Sequence, residues 1–159
     1  MTVRPFEEIV VEHGRVVMRV CRAMLGPVDA DDAWAETFVS ALEAYPRLRP
    51  DSNVRGWLVT IAHRKAIDQH RGRTRRPTPT DRVPDRPVWD DSAAETDTEL
   101  WAALASLPFK QRGAVAYRYL ADLSYADIGV LLDSSEAAAR RSAADGIANL
   151  RRIYPKGTI

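Results

Sequence analysis

The chain predicts an all-α protein made of two small helical domains joined by a flexible, Pro-rich linker. Three observations predict it. Apolar residues recur at helical spacing through most of the sequence, and no segment alternates with the period of two that a strand requires. Helix punctuation recurs in the right places, with Gly26-Pro27, Pro46 and Pro108 as stops and Ser124 and Ser135 as starts. Between Arg76 and Glu95, finally, Pro77, Pro79, Pro84 and Pro87 interrupt a polar stretch that has little to bury. The expected boundaries are 1–76, a linker at 77–95, and 96–159.

The elements follow in order. Phe6, Ile9, Val10, Val16, Val17, Val20, Met24 and Leu25 mark a first helix, which Gly26-Pro27 ends. Asp29 is the expected cap of a second, acidic helix with the apolar stripe Ala33/Trp34, Phe38, Ala41/Leu42 and Tyr45. Pro46 stops it, and the loop PRLRPDSN carries turn chemistry. A third helix begins near Val54 and runs through Trp57, Leu58, Ile61, Ala62, Ala66 and Ile67 into a run of arginines. Beyond the linker, Leu100, Trp101, Leu104 and Leu107 form one amphipathic helix, and 110–120 forms the next. Ser124 then caps a short helix and Ser135 a longer, Ala-rich one. The short connection Asp133-Ser134-Ser135 makes the last pair a helix-turn-helix candidate.

Composition narrows the function classes. At 159 residues the chain holds one average domain or two small ones, and 45% hydrophobic and 28% charged residues are ordinary for a globular protein. The single cysteine, Cys21, excludes an internal disulfide framework and a Cys-x-x-Cys knuckle. It reads as a small buried hydrophobe and points to a cytoplasmic setting. No apolar run approaches the roughly 20 residues that span a bilayer, so no membrane insertion is expected. No Gly-rich phosphate loop, metal cluster or nucleophile constellation is present, so neither an enzyme nor a cofactor is expected. His63 and His70 have no third ligand nearby. Net charge is only +1, yet the acidic helix from Asp29 and the basic segment ending at Arg76 are sharply segregated. That pattern points to one basic partner and one polyanionic partner, most simply nucleic acid.

Two stretches carry a resemblance. DADDAWAETFVSALEAYPRL followed by VRGWLVTIAHRKAID is similar to an acidic D-A-E-D-x-x-Q-E-T-F helix leading into R-G-W-L-x-x-I-A and A-I-D. LASLPFKQRGAVAYRYLADLSYADIGVLL followed by SSEAAARR is similar to L-P-x-x-x-R, R-Y-L-x-x-L-S-Y-x-E-I and the Ser-Glu that opens a recognition helix. On both, the chain resembles the sigma-70 family of the extracytoplasmic-function type, the minimal sigma factors with only region 2 and region 4. The resemblance implies a region 2 bundle of three to four helices, a region 4 helix-turn-helix, and a bacterial transcription initiation factor. Such a factor brings RNA polymerase core to promoter DNA and helps melt the −10 element. The implied partners are core, through the largest-subunit coiled coil and the beta flap, together with promoter DNA and an anti-sigma factor.

Site residues follow from the same resemblance. Asp29, Asp32, Trp34, Ala35 and Glu36 are the candidates for core polymerase. Asp32 and Glu36 share a helix face at i, i+4, and a merely solvated acidic face is the alternative. For the −10 element the candidates are Arg47, Arg49, Asn53, Arg55, Trp57, His63, Arg64, Lys65, His70 and Arg71. They combine cations for the backbone with surfaces for exposed bases. Trp57 also suits core packing against the first helix. For the −35 element they are Arg118, Ser124, Ser135, Glu136, Ala137, Arg140, Arg141 and Ser142, with the N-terminal part of the last helix toward base edges.

Several positions depart from the family pattern. Ala35 replaces a Gln, Arg64 stands where Asn is frequent, and Asp133 sits where the turn usually has Gly. Ala137-Ala138-Ala139 replaces Gly-Thr-Val, and 143–146 loses a basic stretch. A less stable second domain and fewer direct −35 base bonds are therefore expected. Two other readings stay open: a sigma-like adapter or inhibitor that holds core without starting transcripts, and a helix-turn-helix regulator that never touches polymerase.

Overall fold

The computed structural model describes residues 4–71 and 98–154. The expected linker, 77–95, lies outside the described residues. Among those described, the chain forms six α helices, one short 3-10 turn and no strand. They are α1 (Phe6–Ala44), α2 (Val54–His70), α3 (Thr98–Ala105), α4 (Phe109–Tyr119), α5 (Tyr125–Leu131) and α6 (Glu136–Ile153), with the 3-10 turn at Tyr45–Arg47.

α1 is two helical segments joined at a kink. Gly26 has φ 83° and ψ 172°, a conformation closed to residues with a Cβ, and Pro27 then opens the second segment. Asp29, expected as that segment's cap, lies inside the helix instead, because Gly26 supplies the break and Pro27 fits the first turn without needing a donor. The two segments fold back on each other. The Trp34 indole donates to the Gly14 carbonyl at 2.9 Å, Phe6 packs edge-on against Phe38 and Tyr45, and the Tyr45 hydroxyl donates to the Arg4 carbonyl at 2.6 Å. α2 closes this first lobe with Leu58 and Ala62. Asn53 caps α2 by accepting from the Gly56 amide at 3.2 Å.

The second lobe holds α3 to α6. Ser124 and Ser135 cap α5 and α6, accepting from the amides of Asp127 and Ala138. Asp133 adopts the left-handed conformation, φ 56°, that the turn requires. The helix-turn-helix is closed by the Ser134 amide donating to the Gly129 carbonyl at 2.8 Å. A Cβ at Gly129 would lie 2.8 Å from the Ser134 oxygen and 3.0 Å from the Ser135 carbonyl, backbone atoms that cannot swing aside. Gly129→Ala is therefore expected to cost about 1–3 kcal/mol, measured by urea unfolding; a midpoint equal to the parent's would refute that tight approach.

α6 buries Ala139, Ala143, Gly146 and Leu150 along one stripe. A Cβ at Gly146 would sit 2.6 Å from Val115 Cγ2. Gly146, in the stretch that reads in the sequence as the loss of basic residues, thus allows a close crossing of α6 with α4.

The two lobes share one core. Val20, Ala23 and Met24 of α1 and Val59 and Ala66 of α2 join Leu104, Leu107, Val115, Tyr117, Leu123 and Ile128 of the second lobe. Polar ties cross the same boundary. Arg112 Nη1 donates to the Met24 carbonyl at 2.8 Å, His63 Nδ1 and the Tyr117 hydroxyl are hydrogen-bonded at 2.5 Å, and Arg55 lies 3.8 Å from Asp122. Cys21 is buried in the first lobe, and burial pushes its thiol up to about 12, which leaves it an unreactive packing group.

Candidate functional site

The acidic surface lies on the second segment of α1. Asp29, Asp31 and Asp32 are exposed, and Ala35 and Glu36 are half-buried beside them. Trp34 is not part of that surface. Its ring is 3% exposed, lies 4.5 Å from Phe38 and spends its N–H on Gly14, so its place as a contact for core is corrected to packing. The apolar stripe of the helix takes the indole inward.

The basic surface begins where α1 ends. Arg47 and Arg49 are exposed on the loop, with Arg49 3.8 Å from Asp51. The Asn53 side chain is engaged as the α2 cap. Trp57 is half-buried, packs against the first-lobe core and lies 6.5 Å from Tyr45, in line with the packing role. Arg64 and Arg71 are exposed and Lys65 is half-buried. The His70 side chain lies outside the described residues.

His63 takes a different place from the one expected. It is 3% exposed, bonded to Tyr117 and stacked edge-on against that ring, so in this arrangement it faces the second lobe rather than DNA. The reason is its position on α2, one turn from Val59 and Ala66, the residues that face the second lobe. Burial lowers its pKa, nearby Arg64 lowers it further, and the Leu131 backbone opposes the shift. Arg55 is likewise drawn to the boundary by Asp122. A cleft of about 260 Å³ separates Asn53, Gly56, Trp57 and Thr60 of the first lobe from Leu123, Asp127 and Val130 of the second.

The N-terminal face of α6 is open. Ser135, Glu136, Ala137, Arg140 and Arg141 are exposed, and Ser142 is half-buried. Arg140 Nη2 donates to Glu136 at 3.0 Å. Arg118 is half-buried and donates from Nη1 to the Leu123 carbonyl at 3.0 Å. Both guanidinium groups lie over the ring of Tyr125, at 4.7 Å for Arg118 and 4.5 Å for Arg140; Tyr125 is not among the residues expected from the sequence, although it follows the Ser124 cap in L-S-Y.

An all-α chain whose second lobe is a capped helix-turn-helix with an arginine-bearing, solvent-facing last helix belongs structurally to the nucleic-acid-reading proteins. The comparisons narrow this further. Residues 9–76 match the family model for Sigma-70 region 2, and residues 97–150 that for Sigma-70, region 4. The chain is 31% identical over 151 residues to the ECF RNA polymerase sigma factor SigM of Mycobacterium tuberculosis, covering 93% of this chain and 76% of the relative. It is 29% identical over 158 residues to the RNA polymerase sigma factor CarQ of Myxococcus xanthus, covering 93% and 88%. Its fold is similar to the sigma factor RpoE of Bartonella quintana, solved with the anti-sigma factor NepR, at TM-score 0.78 and 19% identity over 98% of this chain and 100% of that one. It is also similar to CnrH, solved with the cytosolic domain of CnrY, at TM-score 0.66 and 23% identity over 96% and 89%.

The chain belongs to the ECF sigma factors of the sigma-70 family. It is accordingly a transcription initiation factor that works with RNA polymerase core on promoter DNA. No helix among the described residues is long and apolar enough to cross a membrane.

Proposed function

We propose that residues 1–76 hold polymerase core and meet the −10 element, and that residues 96–159 meet the −35 element. In this reading Asp29, Asp32 and Glu36, with Ala35 beside them, dock on a basic surface of core. Arg47, Arg49, Arg64, Lys65 and Arg71 supply the cationic track that an opened strand needs. Asn53, Arg55 and Trp57 line the start of that track, and the lobe takes part in melting. Glu136, Ala137, Arg140, Arg141 and Ser142 face the major groove, with Arg118 and the capped turns at Ser124 and Ser135 toward phosphates. An anti-sigma factor is the expected regulator. The protein performs no bond chemistry in this reading.

The observation that carries the reading is the division of α6. Its stripe Ala139, Ala143, Gly146 and Leu150 is buried, while Glu136, Ala137, Arg140 and Arg141 are left to solvent at the N-terminal end that enters a groove. The α2 face along the cleft adds a condition. Asn53, Gly56, Trp57 and Thr60 lie across from α5, so the lobes must part before that face meets DNA.

Run-off transcription with bacterial core and a pool of genomic fragments, beside a core-binding assay, tests the function. Transcripts sharing an upstream −10/−35 pair are expected. Core binding without transcripts supports the adapter reading instead, and no core binding removes both. In the same assay Asp32→Lys/Glu36→Lys is expected to weaken core binding by about tenfold or more, since each reversal turns an attraction into a repulsion. Thermal stability should hold, because both side chains are away from the buried stripe of α1. Unchanged affinity would move the docking surface elsewhere.

A further inference from the structure

We infer that Tyr125 is a positioning residue for −35 recognition, holding the guanidinium groups of Arg118 and Arg140 against its ring so that both are presented to DNA together. The inference rests on the reading that α6 meets the −35 element.

Three elements converge on this ring. Tyr125 opens α5 directly after the Ser124 cap. Arg118 reaches it from the last turn of α4, with its guanidinium carbon 4.7 Å from the ring centroid. Arg140 reaches it from the second turn of the recognition helix, at 4.5 Å. Both distances are within the range of a cation–π contact. A second contact fixes each guanidinium in rotation, the Leu123 carbonyl for Arg118 and the Glu136 carboxylate for Arg140.

The physical consequence is pre-organisation. A free arginine side chain gives up much rotamer freedom when it binds, and two cations brought to neighbouring places repel each other. Here the ring quadrupole offsets part of that repulsion, and a carbonyl and a carboxylate offset more. The two side chains are therefore ordered before DNA arrives, which cuts the cost of immobilising them on binding. The arrangement also couples them. Arg140 stands on the groove-facing end of α6 and Arg118 on the neighbouring helix, so one aromatic ring sets the register between a base-reading group and a backbone-holding group. The Tyr125 ring, rather than its hydroxyl, carries this role.

The test uses holoenzyme reconstituted from the full chain and core, with a labelled promoter duplex selected from a randomised upstream pool by the wild type. Tyr125→Leu is expected to weaken −35-dependent binding roughly tenfold, the gain from two pre-ordered side chains, and to lower the slope of log affinity against log salt. Tyr125→Phe is expected to bind as the wild type. Arg140→Ala should cost less in the Tyr125→Leu background than in the parent, because the two residues act as one unit. Thermal melts of each variant separate these effects from lost folding; if Tyr125→Leu does not fold, Tyr125→Met takes its place. Wild-type affinity and salt slope in the Leu or Met variant overturn the inference, as does an Arg140→Ala penalty that is the same in both backgrounds. A wild type that selects no upstream sequence overturns the −35 reading itself, and the inference with it.

Discussion

Arg112→Ala is expected to lower the stability of the folded chain by about 3 kcal/mol, roughly 1 kcal/mol for each of three hydrogen bonds lost. The guanidinium acts as a strap between helix ends. Nη1 donates to the Met24 carbonyl at 2.8 Å, and Nη2 donates to the carbonyls of Ala105 and Leu107, each at 3.0 Å. Met24 closes the first segment of α1 just before the kink, Ala105 is the last residue of α3, and Leu107 lies in the short connection to α4. Met24 and Ala105 accept at helix C-termini, where carbonyls lack intrahelical donors and carry partial negative charge. The head also lies 5.9 Å over the Phe109 ring. Burial lowers the Arg112 pKa from its ordinary value, but that value is far above neutrality and the group keeps its charge. Truncation leaves the carbonyls without their donor and removes a polar tie between the lobes. Thermal unfolding should read a loss of about 6–12 °C for a chain of this size. Arg112→Lys should recover only part of it, since one ammonium cannot span both helix ends. A midpoint unchanged in the alanine variant would show that the strap contributes nothing.

His63→Ala is the second large effect. The change empties a buried site and leaves the Tyr117 hydroxyl, itself fully buried, without its partner. An orphaned buried hydroxyl costs about 1–3 kcal/mol, and the emptied volume adds to that. The double variant His63→Leu/Tyr117→Phe replaces both partners with apolar groups and should be close to neutral at pH 7.5. The two variants are also expected to differ from the parent in pH dependence. The folded pKa of His63 is depressed by burial, whereas the unfolded chain takes up a proton near pH 6.5. Above that pH the imidazole is neutral in both states and its contribution is complete. As pH falls below about 6.5 the unfolded state binds the proton first, and stability is lost until the folded pKa is passed. His13 is shifted in the same direction, also chiefly by burial, and adds its own share to the parent's slope. Tyr117 takes no part, because burial raises its pKa and keeps the phenol protonated. Urea titrations between pH 7.5 and 5 should therefore show a shallower decline in the double variant than in the parent. Equal slopes would mean that His63 titrates freely and that the interface opens at no cost.

Much of this molecule is legible along the chain. Helix starts and stops are local events, and the Asn53, Ser124 and Ser135 side chains accept from the amides three residues ahead of them whatever else the chain does. The left-handed turn at Asp133 is likewise a property of a few neighbouring residues. The candidate site is legible in part for the same reason. Acidic and arginine residues on helix faces need no tertiary partner to be recognised; Asp32, Arg140 and Arg141 are exposed, and Glu36 is half-buried beside Asp32. Trp34 was ambiguous because one helix turn holds both the docking face and the packing stripe.

The sequence alone is enough for the helices, the Ser124 and Ser135 caps, the helix-turn-helix and the family, but not for the cap it placed at Asp29. The tertiary structure decided which faces those helices spend on each other. α2 shows this most plainly. Leu58 and Ala62 enter the first-lobe core, while Val59 and Ala66 enter the core shared with the second lobe. A helix buried on two sides shows no single apolar stripe, so periodicity along the chain cannot say that a second lobe is coming. His63 and Tyr117 are 54 positions apart, Arg112 and Met24 are 88 apart, and nothing local to either member announces its partner. A hydrogen bond between distant residues exists only once packing has brought them together, and that packing moved His63 and Arg55 from the basic face of a helix to the boundary between two lobes.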